Sequence, residues 1–121
     1  MLKIMIVDDS RIFRKMLRAF FTENGHDVIG EAGNGLEALE LLKTLTPDLI
    51  TLDITMPEMD GIEALKQIKA NNPKQEVIMV SAAGQNSKVI DALKIGASDF
   101  IQKPFDPEDI SIVLSKLFDN T

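Results

Sequence analysis

Residues 49–61 read LITLDITMPEMDG, and this stretch decides the fold. It begins with the apolar run 49–52, which has the length of a β-strand and ends directly before Asp53. Residues 54–61 then separate Asp53 from a segment in which apolar residues recur at helical spacing, beginning at Ile62. The stretch therefore predicts a strand, a loop and a helix, with an acidic residue at the end of the strand.

The same alternation of an apolar run and a helical segment occurs five times along the chain. The runs are residues 4–7, 28–32, 49–52, 77–80 and 100–101, and the helical segments are centred on residues 13–20, 36–42, 62–68, 89–93 and 110–117. Parallel strands need a connection of helix length, so this order predicts a parallel sheet with helices on both faces. We expect a doubly wound α/β fold of five strands and five helices, formed as one domain over residues 1–121.

Turn-forming residues and helix-ending residues mark the expected boundaries of these elements. The expected helix ends are Asn24-Gly25, Thr46-Pro47, Asn72-Pro73 and Gly96, and Asp106-Pro107 is expected to begin the fifth helix. The second strand contains Gly30 and Glu31 and is the least apolar of the five. This composition favours a position at an edge of the sheet.

The composition excludes several classes of protein. The chain has 13 basic and 19 acidic residues and no run of Lys or Arg, so direct binding to nucleic acid is not expected. Cysteine is absent, which excludes disulfides, thiolate metal sites and thiol nucleophiles. The first apolar run reaches Asp8 far short of the ~18 residues that span a bilayer, and it lacks a signal-peptide cleavage pattern. We expect a cytoplasmic protein that is not bound to a membrane.

Polar side chains follow four of the predicted strands at the point where each strand ends. The first strand is followed by Asp8-Asp9, the third by Asp53, the fourth by Ser81 and the fifth by Gln102-Lys103. The C-terminal ends of parallel strands share one edge of the sheet, and ligands of open α/β sheets bind in the crevice there. We therefore expect three carboxylates, a hydroxyl and an ammonium group to lie close together.

Each aspartate could instead cap the helix that follows it, which is a common role for this residue. Ser10 can cap the first helix without either neighbouring acid, and Asp53 lies too far before the third helix to cap it. Three adjacent carboxylates raise one another's pKa unless a cation lies between them. Oxygen ligands favour a hard divalent ion, so we expect Mg²⁺, with Mn²⁺ as the alternative.

A carboxylate can accept a phosphoryl group and form an aspartyl phosphate, and the transfer depends on positioning and on neutralising charge. The predicted cluster supplies groups for both requirements. Asp53 is the expected nucleophile, Asp8 and Asp9 are the expected metal ligands, and Lys103 is the expected electrostatic partner of the phosphate. Ser81 is expected to donate a hydrogen bond from its hydroxyl to the phosphate.

The only histidine, His26, lies in the predicted turn before the second strand, on the opposite edge of the sheet from the acids. We expect it to be structural or solvated. Its place argues against a phosphohistidine carrier, which needs a histidine exposed on a helix.

Four motifs are distributed along the whole chain: Val7-Asp8-Asp9-Ser10, residues 52–61, Val80-Ser81-Ala82, and residues 99–105, DFIQKPF. They resemble the receiver domains of bacterial two-component response regulators, and within that family most closely the stand-alone regulators of chemotaxis. The resemblance implies the flavodoxin-like strand order 2-1-3-4-5, which the alternation of elements alone does not determine. It implies a phosphorylation switch that catalyses only its own phosphorylation and dephosphorylation, and not a conventional enzyme.

The resemblance also implies a role for each matching residue. Asp53 is the phosphoacceptor; Asp8, Asp9, Asp53 and the backbone carbonyl of Thr55 hold Mg²⁺; and Lys103, Ser81 and the backbone of Ala82 contact the phosphate. Ser81 and Phe100 form the switch pair, the Lys103-Pro104 peptide is cis, and Thr55 and Ala83 tune the lifetime of the phosphate. A sensor histidine kinase is the expected phosphodonor, and a target protein is expected to bind the face formed by helix 4, strand 5 and helix 5.

Several alternatives stay open at this point. Phe100 is as well explained by core packing as by a switch, because an aromatic residue in a strand is usually buried. The chain could be the receiver part of a longer regulator that continues beyond Thr121, and it could be a monomer or could dimerise on phosphorylation. A Mg²⁺-dependent aspartyl-phosphate phosphatase is the alternative of another class, but Thr55 stands where such enzymes carry a second aspartate.

Overall fold

The structure is a computed structural model that describes residues 1–118. The question of a continuation beyond Thr121 lies outside the described residues. Strands and helices alternate along the described chain. The strands are β1 Lys3–Val7, β2 Asp27–Ala32, β3 Leu49–Asp53, β4 Glu76–Ser81 and β5 Asp99–Gln102, and the helices are α1 Arg11–Glu23, α2 Gly35–Leu41, α3 Gly61–Asn71, α4 Asn86–Ile95 and α5 Pro107–Phe118.

All five strands are parallel, and their order in the sheet is β2-β1-β3-β4-β5. The expected doubly wound fold, its strand order and the edge position of β2 are therefore confirmed. The strands that carry the aspartates, β1 and β3, are neighbours at the centre of the sheet. The pairing of Val7 with Leu52 brings the next residues of the two strands, Asp8 and Asp53, side by side at the C-terminal edge.

Alternate residues of the central strands fill two separate cores, because successive side chains of a strand point to opposite faces. On one face Met5 and Val7 pack with residues of α2, α3 and α4. On the other face Ile4 and Ile6 pack with Leu17 of α1 and with residues of α5. Helices thus cover both faces of the sheet, and this arrangement leaves its C-terminal edge available for a site.

The expected ends of three helices are confirmed: Asn24, Asn72 and Gly96 are the C-caps of α1, α3 and α4. The expected end of α2 is wrong, because the helix stops at Leu41, well before Thr46-Pro47. Beyond Leu41 the chain forms tighter turns. Leu42 and Leu45 still pack against the core there, so the helical spacing of apolar residues continues in the sequence after the helix has ended.

His26 has the structural role that we expected. Its Nδ1 accepts a hydrogen bond from the backbone N–H of Leu2 at 3.1 Å, beside the start of β2. Burial, followed by the charge of the N-terminus, lowers the pKa of the His26 imidazole, which favours the neutral form that this hydrogen bond needs. In residues 1–118, the helices are too short or too polar to cross a lipid bilayer.

Candidate functional site

Three carboxylates meet at the C-terminal edge of the sheet. Asp8 and Asp9 follow β1, and Asp53 is the last residue of β3. One carboxylate oxygen from each of the three lies within 4.8 Å of the others. Asp8 and Asp53 are buried, whereas Asp9 is exposed. The cluster predicted from the sequence is therefore present, and it opens to solvent on the side of Asp9.

Local backbone bonds fix the position of Asp8. Its own N–H donates to the carbonyl of Ala32 at 3.0 Å, and its Oδ1 accepts a hydrogen bond from the N–H of Ser10 at 2.8 Å. The Ser10 hydroxyl in turn accepts from the N–H of Phe13 and caps α1. As expected, the serine and not the aspartate caps this helix, so the second oxygen of Asp8 remains directed into the cluster.

The ammonium group of Lys103 lies between two of the carboxylates. Its Nζ is 2.8 Å from Oδ2 of Asp8 and 3.5 Å from Oδ2 of Asp53. The backbone N–H of Lys103 donates to the carbonyl of Ser81 at 2.7 Å, which ties the residue to the end of β4. The Phe13 ring faces the ammonium group at 4.1 Å from its centroid, within the range of a cation–π interaction. Phe13 was predicted only as part of an amphipathic helix, and nothing in the sequence indicates this second contact.

The cluster holds more negative than positive charge. Burial and the negative charges of Asp8 and Asp9 together raise the pKa of Asp53 from 3.8 to about 7, although the ammonium group of Lys103 opposes the shift. Oδ2 of Asp8 contacts Lys103 as an ion pair, but its geometry gives it no hydrogen-bond donor among residues 1–118. A buried carboxylate oxygen without a hydrogen-bond donor, close to two further carboxylates, fits a hard divalent cation. Asp8, Asp9 and Asp53 are thus the residues that could hold a metal ion.

The loop after β3 folds back and places Gly61, the first residue of α3, against the backbone of Asp53 and Ile54. The N–H of Gly61 donates to the carbonyl of Ile54 at 2.7 Å, which closes the loop back onto the strand. Asp60 caps α3 by accepting from the N–H of Glu63, so Asp53 has no capping role, as expected. A β-carbon on Gly61 would lie 2.1 Å from the carbonyl oxygen of Asp53, so only glycine fits at this position.

Strand β4 brings the remaining polar groups to the same edge. Asp53 pairs with Val80, so Ser81 lies one residue beyond this pair; its hydroxyl is buried and donates to the carbonyl of Ile101 at 3.5 Å. The next two residues, Ala82 and Ala83, are exposed in the loop that leads to α4.

Comparison with known proteins agrees with this geometry. The family model described as the response regulator receiver domain matches residues 4–115. The chain belongs to the receiver domain family. It is 49% identical over 115 residues to chemotaxis protein CheY of Thermotoga maritima, covering 95% of this chain and 96% of that one. It is 50% identical over 116 residues to CheY of Listeria monocytogenes, covering 96% and 98%.

A solved structure supports the same assignment for the three-dimensional fold. The receiver domain superimposes with a TM-score of 0.92 on a chain from the crystal structure of the CheX-CheY-BeF3-Mg²⁺ complex of Borrelia burgdorferi. The two are 40% identical, and the match covers 96% of this chain and 88% of that one. The protein is thus a signalling receiver homologous to CheY, a phosphorylation-activated switch, and not a conventional enzyme.

Two further predictions concern Phe100 of β5 and the Lys103-Pro104 peptide that follows this strand. The Lys103-Pro104 peptide bond is cis, which is the geometry that the family resemblance implies. Phe100 is 39% exposed, so the core-packing interpretation of this residue is wrong. Its backbone pairs with Met79, and its ring lies on the surface with residues of α5, including Ile112, nearby in the same groove.

Sequence reasoning missed Gln85, which contacts two of the predicted site residues. The N–H of Ala82 donates to its side-chain oxygen, and its side-chain nitrogen donates to the hydroxyl of Thr55. The sequence does not indicate this role, because a glutamine directly before a helix is usually an exposed polar residue without a particular partner. Only the relative position of the loops after β3 and β4 reveals it.

Proposed function

We propose that Asp53 is the phosphoacceptor of this receiver and that the reaction depends on Mg²⁺ bound at Asp8, Asp9, Asp53 and the Thr55 backbone carbonyl. The observation that supports this proposal is the meeting of three carboxylates with the Lys103 ammonium at the end of β3. The BeF3 and Mg²⁺ present with the CheY relative of Borrelia burgdorferi are consistent with such a site.

The proposed transfer is a displacement at phosphorus. One carboxylate oxygen of Asp53 forms a new bond to the phosphoryl group, and the bond to the leaving group breaks, with the electron pair going to the leaving group. The attacking carboxylate must be ionised, which its raised pKa opposes in the metal-free protein. A bound divalent cation supplies positive charge that favours the ionised carboxylate and the phosphoryl oxygens. Lys103 contributes a fixed charge, and Ser81 and the N–H of Ala82 donate to the phosphate.

Chelation of the metal should abolish this reaction. When the protein is incubated with a small phosphodonor such as acetyl phosphate and Mg²⁺, intact-mass spectrometry should show one phosphoryl adduct, and peptide mapping should place it on Asp53. The same incubation with excess EDTA should give at least a hundredfold less adduct, because the carboxylate cluster then lacks its balancing charge. Equal adduct with and without metal would contradict the proposed dependence on Mg²⁺.

In the proposed cycle, a sensor histidine kinase donates the phosphoryl group and the new charge at Asp53 draws the Ser81 hydroxyl inward. Phe100 then moves, which alters the face of α4, β5 and α5. Four large apolar side chains are exposed on these elements: Ile90, Leu93, Phe100 and Ile112. Exposed apolar residues of this kind suit a protein target. We place the switch in the cytoplasm and in chemotaxis, following the named CheY relatives, and we expect a monomer.

The lifetime of the phosphate is proposed to depend on Thr55 and Ala83. Ala83 is exposed beside the site and has no polar group to orient an attacking water. We expect Ala83→Glu to hydrolyse its aspartyl phosphate roughly tenfold faster than wild type, because a carboxylate there can hold the water by a hydrogen bond. The measurement is decay of the adduct after removal of the phosphodonor, with Ala83→Leu as the apolar control. An unchanged rate in Ala83→Glu would show that position 83 does not tune the lifetime.

A further inference from the structure

The side chain of Gln85 connects the two loops that border the carboxylate site. Its Oε1 accepts a hydrogen bond from the N–H of Ala82 at 2.7 Å, and its Nε2 donates to Oγ1 of Thr55 at 2.6 Å. Thr55 belongs to the loop after β3, and Ala82 begins the loop after β4. One amide group therefore holds the two loops together at the edge where Asp53 lies.

Gln85 forms these bonds in place of a helix cap. It occupies the N-cap position of α4, where a short polar side chain usually accepts from the first turn of the helix. Helices α1, α2 and α3 have such caps, from Ser10, Asn34 and Asp60. The Gln85 side chain makes no capping bond and turns back to the site instead, after Gly84 with its φ of 85°.

We infer that Gln85 is a positioning residue that occupies the backbone N–H of Ala82 in the unphosphorylated protein. The inference rests on the proposed function, in which the N–H of Ala82 donates to the phosphoryl group. That N–H already donates to the side-chain Oε1 of Gln85, and one N–H cannot make a full bond to both acceptors. The amide must therefore leave Ala82 when the phosphoryl group arrives. We call this contact of Gln85 with Ala82 and Thr55 the Gln85 latch.

The latch lowers the apparent affinity of the site for a phosphoryl group. Only molecules in which the amide has been released can offer the Ala82 N–H. The apparent affinity is therefore the intrinsic affinity multiplied by the fraction of molecules in this released state. Two hydrogen bonds of ordinary net strength at a partly exposed residue correspond to a roughly five- to tenfold decrease. Release of the amide also frees the Thr55 hydroxyl, so phosphorylation uncouples the two loops.

The test is a calorimetric titration with beryllofluoride, a phosphoryl analogue, in the presence of Mg²⁺. Gln85→Ala should bind roughly five- to tenfold more tightly than wild type. Thr55→Val removes the hydroxyl but keeps the branched shape, and it should tighten binding by part of that factor. The double variant should bind no more tightly than Gln85→Ala, since both changes open the same latch.

Two controls separate the latch from a general loosening of the fold. Asn86→Ala, at the exposed neighbouring position, should bind beryllofluoride with wild-type affinity. Mg²⁺ affinity without beryllofluoride should be unchanged in Gln85→Ala, because the hydrogen bonds of Gln85 involve neither a carboxylate nor the Thr55 backbone carbonyl, which are the proposed metal ligands. In the wild-type protein, the side-chain amide resonances of Gln85 should shift when beryllofluoride binds, as its hydrogen bonds are lost.

The possible results distinguish the latch from the function on which it rests. If Gln85→Ala binds beryllofluoride with wild-type affinity or more weakly, the latch is overturned while the proposed phosphorylation site stands. If wild type itself does not bind beryllofluoride with Mg²⁺, the proposed function fails and the latch fails with it. Tighter binding in Gln85→Ala together with unchanged Mg²⁺ affinity supports both.

Discussion

Alanine in place of Gly61 is expected to destabilise the protein by about 3 kcal/mol or more. An added β-carbon would lie 2.1 Å from the carbonyl oxygen of Asp53 and 2.8 Å from Cα of Ile54. Both neighbours are backbone atoms, so a side-chain rotation cannot relieve the overlap. The N–H of Gly61 also donates to the carbonyl of Ile54 at 2.7 Å, and this bond holds the two backbones close. The loop must open or α3 must shift, and either movement changes the surroundings of Asp53.

The measurement is equilibrium unfolding in urea, with phosphoryl adduct formation as a second readout. Gly33→Ala is the matched control, because a β-carbon there meets only the ends of the Glu37 and Arg14 side chains, at 3.6 and 3.7 Å. We expect Gly33→Ala to change the free energy of unfolding by less than about 1 kcal/mol. A similarly small change in Gly61→Ala would show that this loop has more space than the structure gives it.

Gly61 illustrates which features of this site a sequence can predict. The order of strands and helices follows from periodicity, and the C-terminal edge of a parallel sheet then collects whatever polar residues end the strands. The sequence alone therefore predicts that Asp8, Asp53 and Lys103 belong to one cluster. The sequence shows a glycine at position 61 but does not show why a larger residue is excluded there. The exclusion results from the close approach of α3 to Asp53, which depends on how the loop closes.

The features that sequence reasoning missed all depend on tertiary contacts. The early end of α2 escapes a periodicity argument because Leu42 and Leu45 continue to pack against the core after the helix has stopped. Phe100 has the residue type of a buried strand position but lies on the last strand of the sheet, where its ring faces outward. Gln85 acts through residues from two loops, and no local pattern records such a contact.

Asparagine in place of Asp53 should abolish the phosphoryl adduct and at the same time stabilise the metal-free protein. An amide has nearly the same shape as the carboxylate but is not a nucleophile for phosphorus, so we expect at least a hundredfold less adduct with acetyl phosphate and Mg²⁺. The control is Asp91→Asn, which makes the same chemical change at an exposed position of α4. An equal adduct on wild type and Asp53→Asn would contradict the assignment of the acceptor.

The expected gain in stability follows from the pKa of Asp53, which is raised from 3.8 to about 7 in the folded protein by burial and by Asp8. A raised pKa means that folding favours the protonated form, so its stabilising contribution is complete below about pH 3.8 and is lost as the pH rises through about 7. Above pH 7 the wild type therefore folds with an unfavourable buried charge that Asp53→Asn lacks.

We expect Asp53→Asn to exceed wild type by about 1 to 2 kcal/mol in free energy of unfolding at pH 8 in EDTA, less than the full shift implies because the site opens to solvent. The difference should shrink towards zero as the pH falls to 4, where the wild-type carboxyl is protonated in the folded protein. Added Mg²⁺ should stabilise wild type more than the variant, since it binds the carboxylate that the variant has lost. Urea unfolding at several pH values, with and without Mg²⁺, measures all three effects.

A variant less stable than wild type at pH 8 in EDTA would mean that the ionised carboxylate is already balanced by Lys103, and that the site needs no metal to hold its charge.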